Sequence, residues 1–257
     1  MLTPPEIARS LLAAGESKAR LPFGKMLLLA ILAGAYIALA GVGATAAAVT
    51  VESGSLAKLL SACVFPAGLS MVILAGSELF TGNCLMVMAL LERRITPVQL
   101  LRNWLTVYLG NAVGGAAVAA LAVYSHTASI FGDGLARSMV SIAESKAALG
   151  AGDAFLRGVL CNFLVCLAVW MAAASKRAEG KVIALFFPIL LFVLCGYEHC
   201  IANLYYLPAG AFAAAEYGVE TTLTLAGCLK NLAAVTLGNL VGGAALGVGY
   251  RFAYLKE

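Results

Sequence analysis

Long uninterrupted apolar runs set the pattern of this chain. Four stretches contain no Asp, Glu, Lys or Arg: Met26–Thr50, Asn103–Gly132, Gly158–Ser175 and Asn231–Tyr250. Each is long enough to cross a hydrocarbon core of about 30 Å as a helix. Two longer runs carry one acidic residue each: Leu59–Leu91, broken by Glu78, and Val182–Ala215, broken by Glu198. A straight helix of that length would span about 50 Å, too long for one crossing and too short for two with a turn. The pattern therefore predicts six crossings, the second and fifth discontinuous near their middles. Breakers stand there: Gly76 and Gly82 around Glu78, and Gly196 before Glu198. Non-helical backbone at membrane depth is tolerated where it lines a cavity or is packed in protein.

The N-terminal stretch, 1–25, reads differently. Thr3-Pro4-Pro5-Glu6 resembles a helix N-cap with proline in the first turn. Ile7, Leu11 and Leu12 then give one short amphipathic helix at the interface. The expected division is an N-terminal cytoplasmic helix over residues 1–25 and a six-helix transport domain over 26–257. No basic segment leads directly into an apolar core with a small-residue cleavage site, so the N-terminal stretch does not read as a signal peptide.

Composition agrees. The chain is 62% hydrophobic and 12% charged, with a mean hydropathy of +0.94, which leaves too few charges to cover a water-soluble enzyme of this size. It also excludes a nucleic-acid-binding domain. With the N-terminus inside, twelve of the 17 Lys and Arg residues fall on the inner side and five (Lys58, Arg137, Lys146, Arg157 and Lys230) on the outer side. This places both termini in the cytoplasm. The seven cysteines form no CxxC or metal-ligand pattern and read as small buried hydrophobes. Nucleotide loops and catalytic triads are likewise missing, so no enzyme activity, cofactor or metal is expected.

An internal repeat carries most of the information. GSELFTGN (Gly76–Asn83) and GYEHCIAN (Gly196–Asn203) share Gly, Glu and Asn at matching positions. GNAVGG (Gly110–Gly115) and GNLVGG (Gly238–Gly243) match in the same order further along each half. Three crossings per half, an odd number, force the second half to insert from the opposite side. Such inverted repeats place a substrate path near the midplane, between broken helices. The GNxxGG pairs read as close helix packing, with Asn111 and Asn239 bonding across helices. A neutral-solute channel of aquaporin type would share this architecture but should carry NPA-like triplets at its breaks, and neither octet has one.

Ionisable groups at membrane depth are functional or paired. Glu78 reads as a lock on the first break. His199, beside Glu198, is the side chain able to hold or lend a proton near neutral pH. The Thr81 hydroxyl in the first break can contact either an anion or the backbone.

ILAGSELFTG (Ile73–Gly82) and GVLCNFLVCLA (Gly158–Ala168) resemble the two signature segments of the formate/nitrite transporter family. GYEHCIAN resembles its second broken-helix motif and KNLAAVTLGN (Lys230–Asn239) its last helix. The resemblance runs over roughly residues 4–254 without departure in these motifs. It implies an all-α, aquaporin-like six-helix fold, assembled as a homopentamer in the bacterial inner membrane with one pore per protomer. The implied substrates are small monovalent weak-acid anions: formate foremost, with nitrite or hydrosulfide as alternatives. It further implies that Leu79, flanked by Phe80, belongs to a cytoplasmic constriction. Phe65 and Phe192 belong to an outer one, with Leu69 half a helix from the break. Asn162 and Val165 line the lumen, Lys146 lines the outer vestibule and attracts anions, and Glu198 pairs with Lys146. Membrane lipid and protons are the other partners. Two mechanisms stay open: neutralisation of the anion by a proton from or through His199, and a plain anion channel in which His199 only donates a hydrogen bond.

Overall fold

The computed structural model describes residues 1–256, whose regular structure is all helix; no strand occurs among them. Twelve α-helices follow one another: α1 (Pro4–Ala19), α2 (Phe23–Ala46), α3 (Gly54–Val64), α4 (Pro66–Ala75), α5 (Phe80–Asn83), α6 (Val87–Leu91), α7 (Pro97–Tyr124), α8 (Gly134–Ala148), α9 (Ala151–Ala173), α10 (Ala178–Leu194), α11 (Cys200–Tyr217) and α12 (Leu225–Tyr254). Helices α3 and α4 meet at Phe65–Pro66 and run on as one apolar rod, Gly54–Ala75. Together with α2, α7, α9 and α12 this makes five helices long and apolar enough to cross a membrane.

Both octets break the helix, and they do so in the same way. Gly76 and Gly196 adopt left-handed backbone, at φ 77° and 70°. The next amide folds back over the last turn, Ser77 N–H to the Val72 carbonyl and Tyr197 N–H to the Phe192 carbonyl. This is the glycine closure that ends many helices, because only glycine reaches that conformation without a Cβ penalty. Helix resumes at Phe80 and at Cys200. Gly82, expected to contribute to the first break, lies inside α5 instead: one left-handed residue already ends the helix, and Gly82 carries no positive φ.

The glycines of the GNxxGG segments are contact points, as their spacing suggested. A methyl group added at Gly114 would overlap the Ile31 carbonyl of α2, and one at Gly242 the Val159 carbonyl of α9. Helices α2 and α7, and α9 and α12, therefore touch backbone to backbone. Gly242→Ala is expected to lower stability by about 1–3 kcal/mol, because the obstruction is main chain and cannot rotate away. Gly249→Ala on the same helix, where a Cβ would meet nothing within 4 Å, should cost nothing. Thermal unfolding of the two variants in detergent checks the contrast.

Helix α1 opens with a reciprocal Thr3–Glu6 capping box. Its Ile7 and Ala8 are buried against Met88, Trp170 and Ala174, and the Leu2 amide bonds the Ala174 carbonyl at 2.8 Å. The helix is thus docked on the bundle. The segment between α7 and α9 folds as α8, a helix packed on α11, and Lys146 sits in its last turn.

Candidate functional site

The two breaks are held by matching sets of buried polar side chains. Asn111 of α7, fully buried, accepts from the Phe80 amide at 3.0 Å and donates to the carbonyls of Ala30 (2.7 Å) and Glu78 (2.9 Å). Asn239 of α12 does the same for the second break. It accepts from the Cys200 amide at 2.9 Å and donates to the carbonyls of Gly158 (2.8 Å) and Glu198 (2.9 Å). The amides of Phe80 and Cys200 are first-turn donors with no partner inside their own helices. A carboxamide, which can accept and donate at once, suits this position.

The glutamate side chains point out of the breaks toward a lysine each. Glu78 takes Lys18 Nζ of α1 at 2.7 Å and Asn83 Nδ2 at 2.8 Å. Glu198 takes Lys146 Nζ at 2.9 and 3.1 Å and Asn203 Nδ2 at 2.7 Å. Asn83 and Asn203 donate in turn to Asn103 and Asn231. Both carboxylates are more than nine-tenths covered, and a buried acid is tolerated when paired and hydrogen-bonded.

Three cavities share lining residues around the two breaks. One of about 400 Å³ holds Lys146 and Glu198, and one of about 350 Å³ holds Lys18 and Glu78. Between them is a chamber of about 10 Å³, room for about one water. Phe65, Phe192 and His199 border both the chamber and the Lys146 cavity; Leu69 and Leu79 border both the chamber and the Lys18 cavity. The phenyl rings of Phe65 and Phe192 meet edge to face at 5.7 Å. Val165, Ile37 and Ile189 complete the chamber wall, which leaves His199 its one polar side chain.

His199 caps α11. Its Nδ1 accepts from the Ala202 amide at 3.1 Å, and its Nε2 lies 2.9 Å from the hydroxyl of the fully buried Thr81. Because Nδ1 is the acceptor, a neutral ring carries its hydrogen on Nε2 and donates it to Thr81 Oγ1. A charged ring, with hydrogens on both nitrogens, would lose the Ala202 bond.

Comparison with known proteins agrees with this geometry. The sequence profile described as "Formate/nitrite transporter" matches residues 5–253. The chain belongs to the formate/nitrite transporter family. It is an integral membrane protein of a family of channels and transporters, not enzymes. A "Probable formate transporter" of Methanothermobacter thermautotrophicus is 38% identical over 99% of this chain and 98% of its own length. "Formate channel FocA" of Haemophilus influenzae is 40% identical over 86% and 84%. Two solved structures superimpose closely. An "FNT family ion channel" has a TM-score of 0.84 at 31% identity, covering 96% of this chain and 98% of that one. A "Pentameric formate channel with formate bound" has a TM-score of 0.80 at 32% identity, covering 91% and 98%.

In this member of the formate/nitrite transporter family, eight of the residues singled out from sequence (Phe65, Leu69, Leu79, Lys146, Val165, Phe192, Glu198 and His199) border the three cavities. Thr81 stands behind His199. Two others sit apart. The Phe80 ring packs edge-on against Tyr108 and Trp104, at 5.1 and 6.4 Å. Asn162 spends its amide group on the carbonyls of Thr81 (3.2 Å) and Asn239 (2.7 Å), holding α9 against the first break. Sequence reasoning missed Lys18 and the relays Asn83–Asn103 and Asn203–Asn231. The repeat itself held the signal: the offset from Lys18 to Lys146, and from Asn103 to Asn231, is the one that separates Asn111 from Asn239.

Proposed function

We propose that the chain carries small monovalent weak-acid anions across the bacterial inner membrane, formate foremost, with nitrite and hydrosulfide as lesser candidates. The observation that carries this reading is the order along the pathway: a lysine at each mouth, an apolar constriction inside each lysine, and one hydrogen-bond donor between the constrictions. A neutral-solute channel has no use for a cation at both mouths. Similarity to channels named for formate supports the substrate, and likeness to a pentameric one supports a homopentamer for this chain.

The paired latches support two inverted halves. Each comprises an approach helix ending in a lysine, a crossing, a broken crossing and a last crossing, with the N-terminal helix docked beneath the transport domain. The basic-residue count puts both termini in the cytoplasm, which makes the Lys146 cavity the outer one. Lys146 and the half-helix N-termini at the breaks concentrate the anion. A bare charge at the membrane centre costs at least about 2.5–3.5 kcal/mol, and the apolar chamber supplies one donor against it. The anion therefore crosses with a proton, passed through His199: the Nε2 hydrogen leaves Thr81 Oγ1 for the anion as Nδ1 takes up another proton. The Ala202 amide must let go of Nδ1 for that step, so the relay is coupled to a small opening at the head of α11.

Proteoliposomes given inward gradients of formate, nitrite and hydrosulfide test this when internal pH and membrane potential are followed together. Uptake with a pH change and no potential is expected, ranked with formate first. A steady anion current that survives His199→Phe would sink the relay and leave a plain channel. No response to any of the three would overturn the substrate class.

A further inference from the structure

The two mouths are unequal in charge. The Lys18 cavity is lined by one cation and one carboxylate, and these two pair with each other. The Lys146 cavity is lined by three cations, Lys58, Lys146 and Arg157, against the single carboxylate Glu198, which is committed to Lys146. Among the described residues, no carboxylate oxygen lies within 4.0 Å of Lys58 or Arg157. Asp153, one turn before Arg157 on α9, is not part of the lining. Lys58 comes from α3 and Arg157 from α9, so two separate elements bring uncompensated charge to one concave space, beside the hydroxyls of Ser61 and Ser141.

A cleft with apolar walls and one sign of charge focuses its field on whatever enters. A monovalent anion can balance one of the two free cations and leaves the other unanswered. A guanidinium presents a planar fork that fits a carboxylate by two parallel hydrogen bonds, while an ammonium acts as a point charge. We propose that the Lys146 vestibule is a binding site for a small dicarboxylate dianion, one carboxylate on Arg157 and the other facing Lys58. The dianion obstructs the pathway from that side alone.

The space of about 400 Å³ admits such a molecule, whereas the next space inward, behind the Phe65–Phe192 pair, is about 10 Å³. Crossing would also require neutralising two charges in an apolar chamber that offers one donor. The dianion is thus held at the mouth and goes no further. At the other mouth the Lys18–Glu78 pair leaves no free cation to hold it. Obstruction of a flux rests on the transport reading above; binding does not.

Oxalate, a compact dianion at neutral pH, is the probe. Calorimetric titration of the purified protein in detergent should show saturable binding, one site per protomer, tighter than acetate at equal ionic strength. In right-side-out and inverted membrane vesicles, oxalate should inhibit formate uptake only when added on the Lys146 face. The Lys58→Gln, Arg157→Gln double variant should weaken oxalate binding by about tenfold or more. Arg157→Lys, which keeps the charge and loses the fork, should weaken it by less. Unfolding temperatures matching the parent protein show that the variants are folded. Absence of saturable binding, binding unchanged in the double variant, equal inhibition from both faces, or passage of oxalate itself would each overturn the proposal. Oxalate binding that the variants weaken, in a protein that moves no formate, would sustain this site while removing the transport reading.

Discussion

Asn239→Leu is expected to destabilise the protein strongly at nearly constant side-chain volume. The substitution leaves the Cys200 amide and the Glu198 carbonyl, both tied to this one carboxamide, without partners inside a membrane-embedded core. Each of these two orphaned groups should cost about 1–3 kcal/mol. Asn111→Leu should cost a similar amount, because it serves the Phe80 amide and Glu78 carbonyl in the same way. Thermal unfolding in detergent, with size-exclusion chromatography to follow assembly, checks both. A Tm indistinguishable from that of the parent would mean that the glycine closures and the Glu–Lys pairs hold the breaks unaided.

The second large effect is on transport. Thr81→Val preserves shape at a fully buried position and removes the one group that faces His199 Nε2. The imidazole then holds an unpaired donor at the wall of an apolar chamber. On the transport reading, Thr81 also sets the direction of the Nε2 hydrogen that an arriving anion must meet. Loss of a partner worth about 1–3 kcal/mol should lower formate uptake by about 5- to 150-fold. Thr81→Ser, which keeps the hydroxyl, should restore most of it. Uptake rates in proteoliposomes, matched for incorporated protein, decide the matter. A valine variant as active as the parent would show that Thr81 only fills space.

The breaks could be located from sequence because a carboxylate flanked by glycine is rare inside so long an apolar run. The same spacing of Gly, Glu and Asn in two such runs is rarer still. The Lys146–Glu198 pair followed from family resemblance, and the structure forms it. Lys18 escaped notice because its own neighbourhood, an amphipathic stretch with several charges, gives no hint that one charge reaches the pathway; only the long-range repeat offset marks it. Phe80 and Asn162 illustrate a different obstacle. Helical periodicity assigns faces as long as the helix is continuous, but the irregular backbone at Gly76–Leu79 resets its phase. The direction of Phe80 cannot then be counted forward from α4. Asn162 lies on an unbroken helix, but its role depends on carbonyls that only the folded breaks bring near. The backbone contacts at Gly114 and Gly242 were legible as close packing because glycine at four-residue spacing has few other uses in an apolar helix.

On the inverted-repeat reading, the chamber wall is built, apart from its two phenylalanines, from corresponding positions of the two halves. Ile37 stands to Val165 as Asn111 stands to Asn239, and Leu69 to Ile189 as Glu78 to Glu198. Both of these pairs are aliphatic. His199, by contrast, corresponds to Leu79, and Thr81 to Ile201, so the hydrogen-bonded couple draws one member from each half, each opposite an aliphatic residue in the other. An ancestor made of two identical half-length chains would repeat the same side chain at both members of every pair: two histidines or none, two threonines or none. A single donor in an otherwise greasy passage therefore requires the two halves to have diverged from one another. On this view divergence gave the pathway its lone polar step.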